Sequence, residues 1–437
     1  MSSHADRYLV RPGRASDGAE LSRLQAAVQL QPKTGGSPHS GIAAWVDGLM
    51  SGDHPSVKPD DFLVVEERST GRPVASLVSL RQDWRLAGLR LPVTQVELVG
   101  TDPEHRGHRL AQRLFAALHE RCAADGVPIQ MIEGIPYFYR RLGYDYALSN
   151  GGASAVPAAA LPAPEDRGMV VRPATVADAT ALARVDERVG DDGALVCPRD
   201  AAVWRHEIAG RASADLVRRQ VTVLANGDEV RGYLVHGARL YAGGELAVFA
   251  AACERPADWP TATAAMYAYL GDAGRRYATA DRPFTAIHPI LDVDHPLARF
   301  GPAGVPRRAR AWYVRTGDPI DLLGRLAPVL RARWAAAGLR WPVSELVIDT
   351  YGRAARLRFT DGELAAVTPA PGAADPSTDP GTHAAIPPDA VLQLALGYRT
   401  LAEVLDAWPD CLLRDRLTER FLAAAFPRVP NRLWTRT

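Results

Sequence analysis

The sequence predicts a mixed α+β (α/β) protein: two related units in tandem, then a third unit of different pattern. Three observations predict it. First, the chain repeats itself. Val10-Arg11-Pro12 with Asp17, Leu21, Arg23 and Leu24 returns as Val171-Arg172-Pro173 with Asp178, Leu182, Arg184 and Val185, every pair 161 positions apart. Second, within each copy short apolar runs of strand length alternate with helical periodicity. Third, the pattern changes near residue 316 to a helix, two strands and three short helices. At roughly 100–200 residues per domain, 437 residues also imply more than one domain.

Each element has its reason. In both copies Val-Arg-Pro ends a strand, and the Asp stands where a helix N-cap belongs, ahead of an apolar-periodic helix. Phe62-Leu63-Val64-Val65-Glu66, Ser69-Thr70-Gly71 and Val74-Ala75-Ser76-Leu77-Val78 read as strand, turn and strand. Val221-Thr222-Val223-Leu224, Asn226-Gly227-Asp228 and Gly232-Tyr233-Leu234-Val235 repeat that pattern, with Asn-Gly as the hairpin signal. The Ala- and Pro-rich stretch 153–167 joins the copies. In the last unit, 319–337 is helical, 344–350 and 354–359 are strands, and Asp361-Gly362 is a turn. The Pro-, Gly-, Ser- and Thr-rich segment 369–383 is expected to be a mobile loop. Helices follow around 389–396, 400–407 and 417–425, and a non-helical end carries Trp434, a side chain large enough to need packing.

Composition excludes several classes. Hydrophobic residues make up 47% and charged residues 23%, ordinary globular values. The net charge of +1, from 51 basic and 50 acidic residues, gives no electrostatic case for nucleic acid. No stretch approaches the ~18 apolar residues of a membrane span, and the first residues lack a signal-peptide apolar core. Cys122, Cys197, Cys253 and Cys411 are too scattered for a disulfide framework and contain no CxxC pair, so neither a zinc site nor any other metal is expected. A reducing cytoplasm is the expected setting.

The segment 95–147 carries the chemistry. Val96-Glu97-Leu98-Val99 reads as a strand that stops at Gly100-Thr101-Asp102-Pro103. Glu104-His105-Arg106-Gly107-His108-Arg109-Leu110-Ala111 then opens an amphipathic helix reaching about Ala124, with Leu110, Leu114, Leu118 and Cys122 on one face. Orphan N–H groups and the dipole at such a helix start attract an anion. Gly107 permits close backbone approach and Arg106 and Arg109 add charge. An ordinary strand–helix connection with a basic start has the same appearance. Further on, the strand 129–132 leads to Tyr137-Phe138-Tyr139 on a short helix that Gly143 ends. A tyrosine there has the right pKa to protonate a leaving thiolate. Packing alone equally accounts for three aromatics.

Val99-Gly100-Thr101-Asp102-Pro103, the turn from Arg106 to Ala111 and Tyr139-Arg140-Arg141-Leu142-Gly143-Tyr144 resemble the GCN5-related N-acetyltransferase (GNAT) superfamily, and within it the Eis-like branch. That resemblance implies two tandem GNAT-fold domains and a sterol-carrier-like C-terminal domain: an active domain over 1–152, a degenerate one over 165–315 and the sterol-carrier-like one over 316–437. It implies acetyl-CoA as donor and a small-molecule or peptide amine as acceptor, such as an aminoglycoside, a polyamine or a lysine. It also implies a homo-oligomer, a hexamer by analogy. Leu98, Val99, Gly100 and Thr101 are expected to hold the pantetheine arm and the thioester carbonyl. The N–H groups of Arg106, Gly107, His108, Arg109, Leu110 and Ala111 are expected to cradle the pyrophosphate. Tyr139 is the expected general acid, and the terminal carboxylate of Thr437 the expected base, with Glu97 and Asp83 as weaker substitutes. Trp45, Asp83 and Trp84 are expected to line the acceptor side.

Two departures from the superfamily pattern stand out. Glu104 replaces the first residue of its Arg/Gln-x-x-Gly-x-Gly/Ala turn, and Arg109 replaces the second small residue. In the second copy Cys253-Glu254-Arg255-Pro256-Ala257-Asp258-Trp259-Pro260 lacks the Arg-Gly pattern, and its prolines remove donors. This copy is expected to be a scaffold. A non-catalytic protein holding coenzyme A or an apolar ligand is the alternative reading.

Overall fold

The computed structural model describes residues 7–29, 38–161, 168–190 and 193–434. The first unit contains β1 (Tyr8–Pro12), α1 (Gly18–Val28), α2 (Ser40–Met50), β2 (Phe62–Glu67), β3 (Arg72–Leu86), β4 (Leu89–Thr101), α3 (Leu110–Ala124), β5 (Ile129–Ile132) and β6 (Asp145–Asn150). The second contains β7 (Val156–Pro157), β8 (Val170–Pro173), α4 (Ala179–Arg188), β9 (Leu195–Val196), α5 (Ala201–Arg205), β10 (Arg219–Asn226), β11 (Glu229–Gly237), β12 (Glu245–Cys253), α6 (Trp259–Tyr277), β13 (Ala286–Pro289) and the short α7 (Pro296–Arg299). β14 (Arg310–Thr316) leads into the third, with α8 (Pro319–Arg325), α9 (Ala327–Ala336), β15 (Glu345–Asp349), β16 (Arg353–Thr360), β17 (Glu363–Pro371), β18 (Ala384–Ala385), α10 (Pro388–Ala395), α11 (Leu401–Ala407), β19 (Leu412–Leu413) and α12 (Arg416–Ala425).

The repeat is a physical motif. Arg11 grips Asp17 with two hydrogen bonds of 2.7 and 2.9 Å, and Arg172 grips Asp178 with two of 2.8 Å. Each arginine also donates to the carbonyl of the following proline. Each aspartate accepts the backbone N–H three residues earlier, from Arg14 and from Thr175. The fork therefore ties the end of the first strand to the start of the first helix in both copies.

The chain does not keep its units separate. β14 pairs antiparallel with both β5 and β6, so the strand that ends the second unit lies in the first sheet, whose order is β1-β2-β3-β4-β5-β14-β6. β7, which follows the first unit, pairs with β13 in the second sheet, ordered β7-β13-β12-β11-β10-β8. β9 pairs with the far end of β3. The third sheet runs β17-β16-β15-β18-β19. Its hairpin differs from expectation: β17 reaches Pro371, into the segment read as a loop, because β16 offers an unpaired edge over its whole length. β3 and β4 likewise form one long hairpin through Ala87-Gly88, much longer than the strands expected around 74–78 and 96–99. Among the described residues no helix is long and apolar enough to cross a membrane.

Candidate active site

β4 builds the site. It runs parallel to β5 only from Val93 to Gln95, while β5 stops at Ile132 and β4 continues to Thr101. Beyond Gln95 a gap opens between the two strands. There β4 bulges: Leu98 and Val99 together oppose Leu77, and Leu98 takes a φ of +51°. A left-handed conformation costs a residue with a side chain roughly 1–2 kcal/mol, and α1 holds it in place. Gln25 donates from Nε2 to the Leu98 carbonyl at 2.7 Å and to Ser76 Oγ at 2.8 Å, and Gln29 donates to the Val99 carbonyl at 3.1 Å. The Leu98 carbonyl and the Val99 N–H share one planar peptide and point in opposite directions. Fixing the carbonyl on α1 turns the Val99 N–H away from it. Gly100 is required by this packing, because a Cβ there would stand 2.6 Å from Val28 Cγ2.

After β4 a short turn at Pro103–His105 leads to Gly107 (φ +83°) and Arg109 (φ +56°), and α3 starts at Leu110. The N–H groups of Leu110, Ala111 and Gln112 have no protein acceptor among the described residues, as the first turn of a helix requires. A cleft of about 410 Å³ connects this turn to the gap, lined by Val99, Gly100, Thr101, Arg106, Gly107, Arg109, Leu110, Ala111 and Tyr139 among others. Neither Arg106 nor Arg109 forms an ion pair among the described residues. Two residues from the same expectation lie apart from the cleft wall. The His108 ring sits against Tyr8, centroids 5.5 Å apart, and the Leu98 side chain is buried with Trp45 and Val46 in the core under α2.

Tyr139 stands at the inner end of the cleft. Its ring is packed by Phe115, Phe138, Tyr144 and Tyr313, with centroids 5.1–6.3 Å away. It lies so close to Gly134 that a Cβ there would stand 2.9 Å from its ring and 3.1 Å from its hydroxyl. The hydroxyl has no protein hydrogen-bond partner among the described residues. Burial, then the nearby Glu97, push its pKa up to about 12.

Glu97, the residue before the bulge, lies on the other side. Burial, reinforced by Glu133, raises its carboxyl to about 7, against the pull of a 2.6 Å hydrogen bond from Gln95 Nε2. That bond ends a buried chain. Gln95 Oε1 accepts from Gln82 Nε2, and Gln82 Oε1 accepts from Trp84 Nε1 at 2.9 Å and from the Cys197 thiol at 3.6 Å. An indole nitrogen only donates, so Trp84 sets the direction of both amides. A donor, never an acceptor, meets Glu97.

Glu97 borders a second cavity of about 300 Å³, between the first two units. Trp45 and Trp312 come from the first sheet and its helices, Arg219, Phe249 and Asp292 from the second unit, and 431–434 from the C-terminal end. The end is held firmly. Leu195 N–H donates to Pro430 and Arg432 N–H to Leu195, Asn431 Nδ2 reaches the Ser149 carbonyl at 2.6 Å, and the Arg199 guanidinium lies 3.7 Å over the Trp434 ring while bonding its carbonyl. Thr437 lies outside the described residues. Asp83 and Trp84 are not brought to this cavity. Asp83 pairs with Arg90 at 2.5 Å on the outer hairpin, and Trp84 is fully buried beneath the third unit. Sequence reasoning missed Glu133, Arg219 and Asp292, which come from three distant segments and share no local pattern.

The matching turn of the second unit is built around an internal ion-pair cluster. Glu254 follows β12, is nearly buried, and takes Arg188 at 2.6 Å, Arg184 at 3.2 Å and Arg231 at 3.3 Å. The arginines at this turn are thus occupied by a carboxylate, whereas Arg106 and Arg109 of the first unit form no ion pair among the described residues.

A splayed pair of parallel strands, a bulge beside the gap and an anion-receptive helix start define the class. Residues 10–147 match the family described as an acetyltransferase (GNAT) domain. The whole chain shares its three-unit fold with solved proteins of low identity. A GCN5-related N-acetyltransferase from Kribbella flavida superposes with a TM-score of 0.67 at 17% identity, over 100% of both chains. Eis1 from Mycobacterium abscessus superposes at 0.62 and 16% identity, over 98% of this chain and 100% of its own. A conserved Enterococcus faecalis protein of unknown function, described as a probable N-acyltransferase, superposes at 0.68 and 14% identity, over 98% and 100%. No curated protein matches the sequence.

Proposed function

We propose that the protein transfers an acetyl group from acetyl-CoA to an amine, with Glu97 as general base and Tyr139 as general acid. One observation supports this most. The anion-receptive cleft and the acceptor cavity lie on either side of one bulge, with Tyr139 on the first and Glu97 on the second. The residues of the cleft fit a coenzyme A diphosphate: unsatisfied N–H groups at Leu110, Ala111 and Gln112, an open approach at Gly107, and two arginines. Bound acetyl-CoA supplies a thioester-activated acetyl group. Glu97 takes a proton from the acceptor amine, and its pKa of about 7 suits that exchange at neutral pH. The Val99 N–H donates to the carbonyl oxygen as negative charge develops on it. Tyr139 keeps its proton at neutral pH and gives it to the departing sulfur. Glu133, Gln95 and the indole of Trp84 tune the base from behind.

The docking of 431–434 at the acceptor cavity supports a second candidate base, the terminal carboxylate of Thr437. Separate Glu97→Gln and Thr437-deletion variants discriminate the two. Whichever loses the ascending limb of the pH–rate profile carries the base. The non-catalytic reading is weakened by the third unit itself. Its interior is filled by Trp334, Trp341, Phe359 and Phe421, with ring centroids 4.8–6.5 Å apart, where an apolar ligand would have to sit.

Tyr139→Phe tests the proposal. The rate of thiol release falls by roughly 10²-fold or more, while calorimetric affinity for acetyl-CoA holds. Unchanged turnover removes Tyr139 from the mechanism.

A further inference from the structure

We infer that the acceptor carries a carboxylate beside its amine, and that Arg219 recognises it. The inference rests on the reading of the 300 Å³ cavity as the acceptor site. Arg219 opens β10, and its side chain lines that cavity next to Phe249, with the guanidinium carbon 4.0 Å over the ring. Its protein hydrogen bonds are weak and one-sided. Nη1 reaches the carbonyls of Leu216 at 3.4 Å and Arg218 at 3.3 Å, and Nε and Nη2 donate to nothing among the described residues. No carboxylate lies within ion-pair distance of it among the described residues.

Two other sheltered arginines carry carboxylate partners, whereas Arg199 rests, like Arg219, on an aromatic ring and backbone carbonyls. Arg11 has Asp17 and Glu66, and Arg211 has Glu207 and Asp215. Burying a guanidinium without a counter-charge is costly. Consistent with that cost, burial holds the Arg219 pKa below its ordinary value. The remaining charges of the cavity do not supply the counter-ion. Glu133 is engaged by Arg310 at 3.2 Å, and Asp292 accepts the Asp294 N–H at 3.2 Å. Arg432 donates to the Val189 carbonyl at 2.9 Å. Two free donors on a planar fork match the two oxygens of a carboxylate. Glu97 and Asp292 provide negative charge for the amine of the same ligand. The cavity is therefore built for an amino acid or a chain-terminal amino-acid unit, rather than for a polycation lacking an acidic group.

The experiment compares matched acids and amines on the full chain with acetyl-CoA. Nα-acetyl-lysine is set against N-acetylcadaverine, and tryptophan, phenylalanine and ornithine against their decarboxylated amines. Thiol release gives kcat/KM, and calorimetry gives affinity. Acids are preferred by about tenfold or more. In Arg219→Met that ratio collapses, and Arg219→Lys, which keeps the charge but loses the fork, retains part of it. Circular dichroism and the melting temperature confirm that the variants fold. Equal use of acid and amine, failure of every acid to engage, or a ratio unmoved in Arg219→Met overturns the inference. So does an acid preference that appears only after residues 435–437 are deleted, since the chain's own carboxylate would then be Arg219's partner. Acetylation of the amines without acid preference refutes this inference alone. Absence of thiol release with any amine refutes the transferase reading as well.

Discussion

Replacing Gln95 by leucine removes the donor that holds the Glu97 carboxylate. The 2.6 Å bond goes to a group that is charged when it acts as a base, and hydrogen bonds to charged groups contribute about 1.5–3 kcal/mol. At 1.36 kcal/mol per pKa unit, losing it raises the carboxyl by about one to two units. The wild-type carboxyl titrates near 7, so the ascending limb of kcat/KM against pH moves into the range of about 8–9. Trp84→Phe frees the Gln82 amide to rotate, so it shifts the limb in the same direction by less. Glu97→Gln abolishes the limb. The assay is initial-rate thiol release from pH 5.5 to 10 at saturating acetyl-CoA, with melting temperatures recorded alongside. Gln95→Leu also strands the Gln82 amide, at a stability cost of about 1–3 kcal/mol, so the profile is read only below the melting transition. A limb that stays near 7 in Gln95→Leu, while Glu97→Gln still abolishes it, refutes the polarity argument.

Three further outcomes follow from the geometry. Arg109→Gly releases a left-handed residue costing roughly 1–2 kcal/mol against about 0.5–1 kcal/mol of added chain entropy, so urea unfolding shows a small net gain, and a clear loss contradicts it. Trp434→Ala removes the aromatic face under Arg199 and loosens the end of the chain, raising the acceptor KM while acetyl-CoA affinity is unchanged; an altered donor affinity alone argues against that division. His295 and His236 are buried and held neutral by desolvation, at about 3 and about 4, below the ordinary value near 6.5. The unfolded chain therefore binds more protons, and stability falls as pH drops from about 6.5 toward 4, by up to several kcal/mol; a flat melting temperature across that window excludes it.

What the sequence made legible was local. The Arg-Asp forks at Arg11 and Arg172 could be read as a repeat because each spans only six residues. The helix start at Leu110 and the short helix of Tyr139 were readable from glycines and periodicity. The length of β3 and β4 was not, since polar Ser79, Gln82, Thr94 and Gln95 interrupt the apolar runs; Gln82 donates to Gln95 inside the sheet, Ser79 donates to the Asp61 carbonyl and Thr94 accepts from the Cys122 thiol. Trp84 read as a surface for substrate because large aromatics border pockets as readily as they fill cores. Its indole instead ends a hydrogen-bonded chain under the third unit. The cavity between the first two units was least legible. Trp45, Glu97, Arg219, Asp292 and Trp434 meet only because three units fold against one another.

The exchange of β7 and β14 between sheets has a mechanical consequence. β7 enters the second sheet directly after β6, and β14 returns to the first sheet after β13, so the chain crosses the boundary twice. Jaw-like opening would have to break the β3–β9 pairing, which ties the chain of the second unit to the first sheet. The space between them behaves as a fixed gauge: its width is set when the chain folds, and incoming molecules are sorted by whether they fit it.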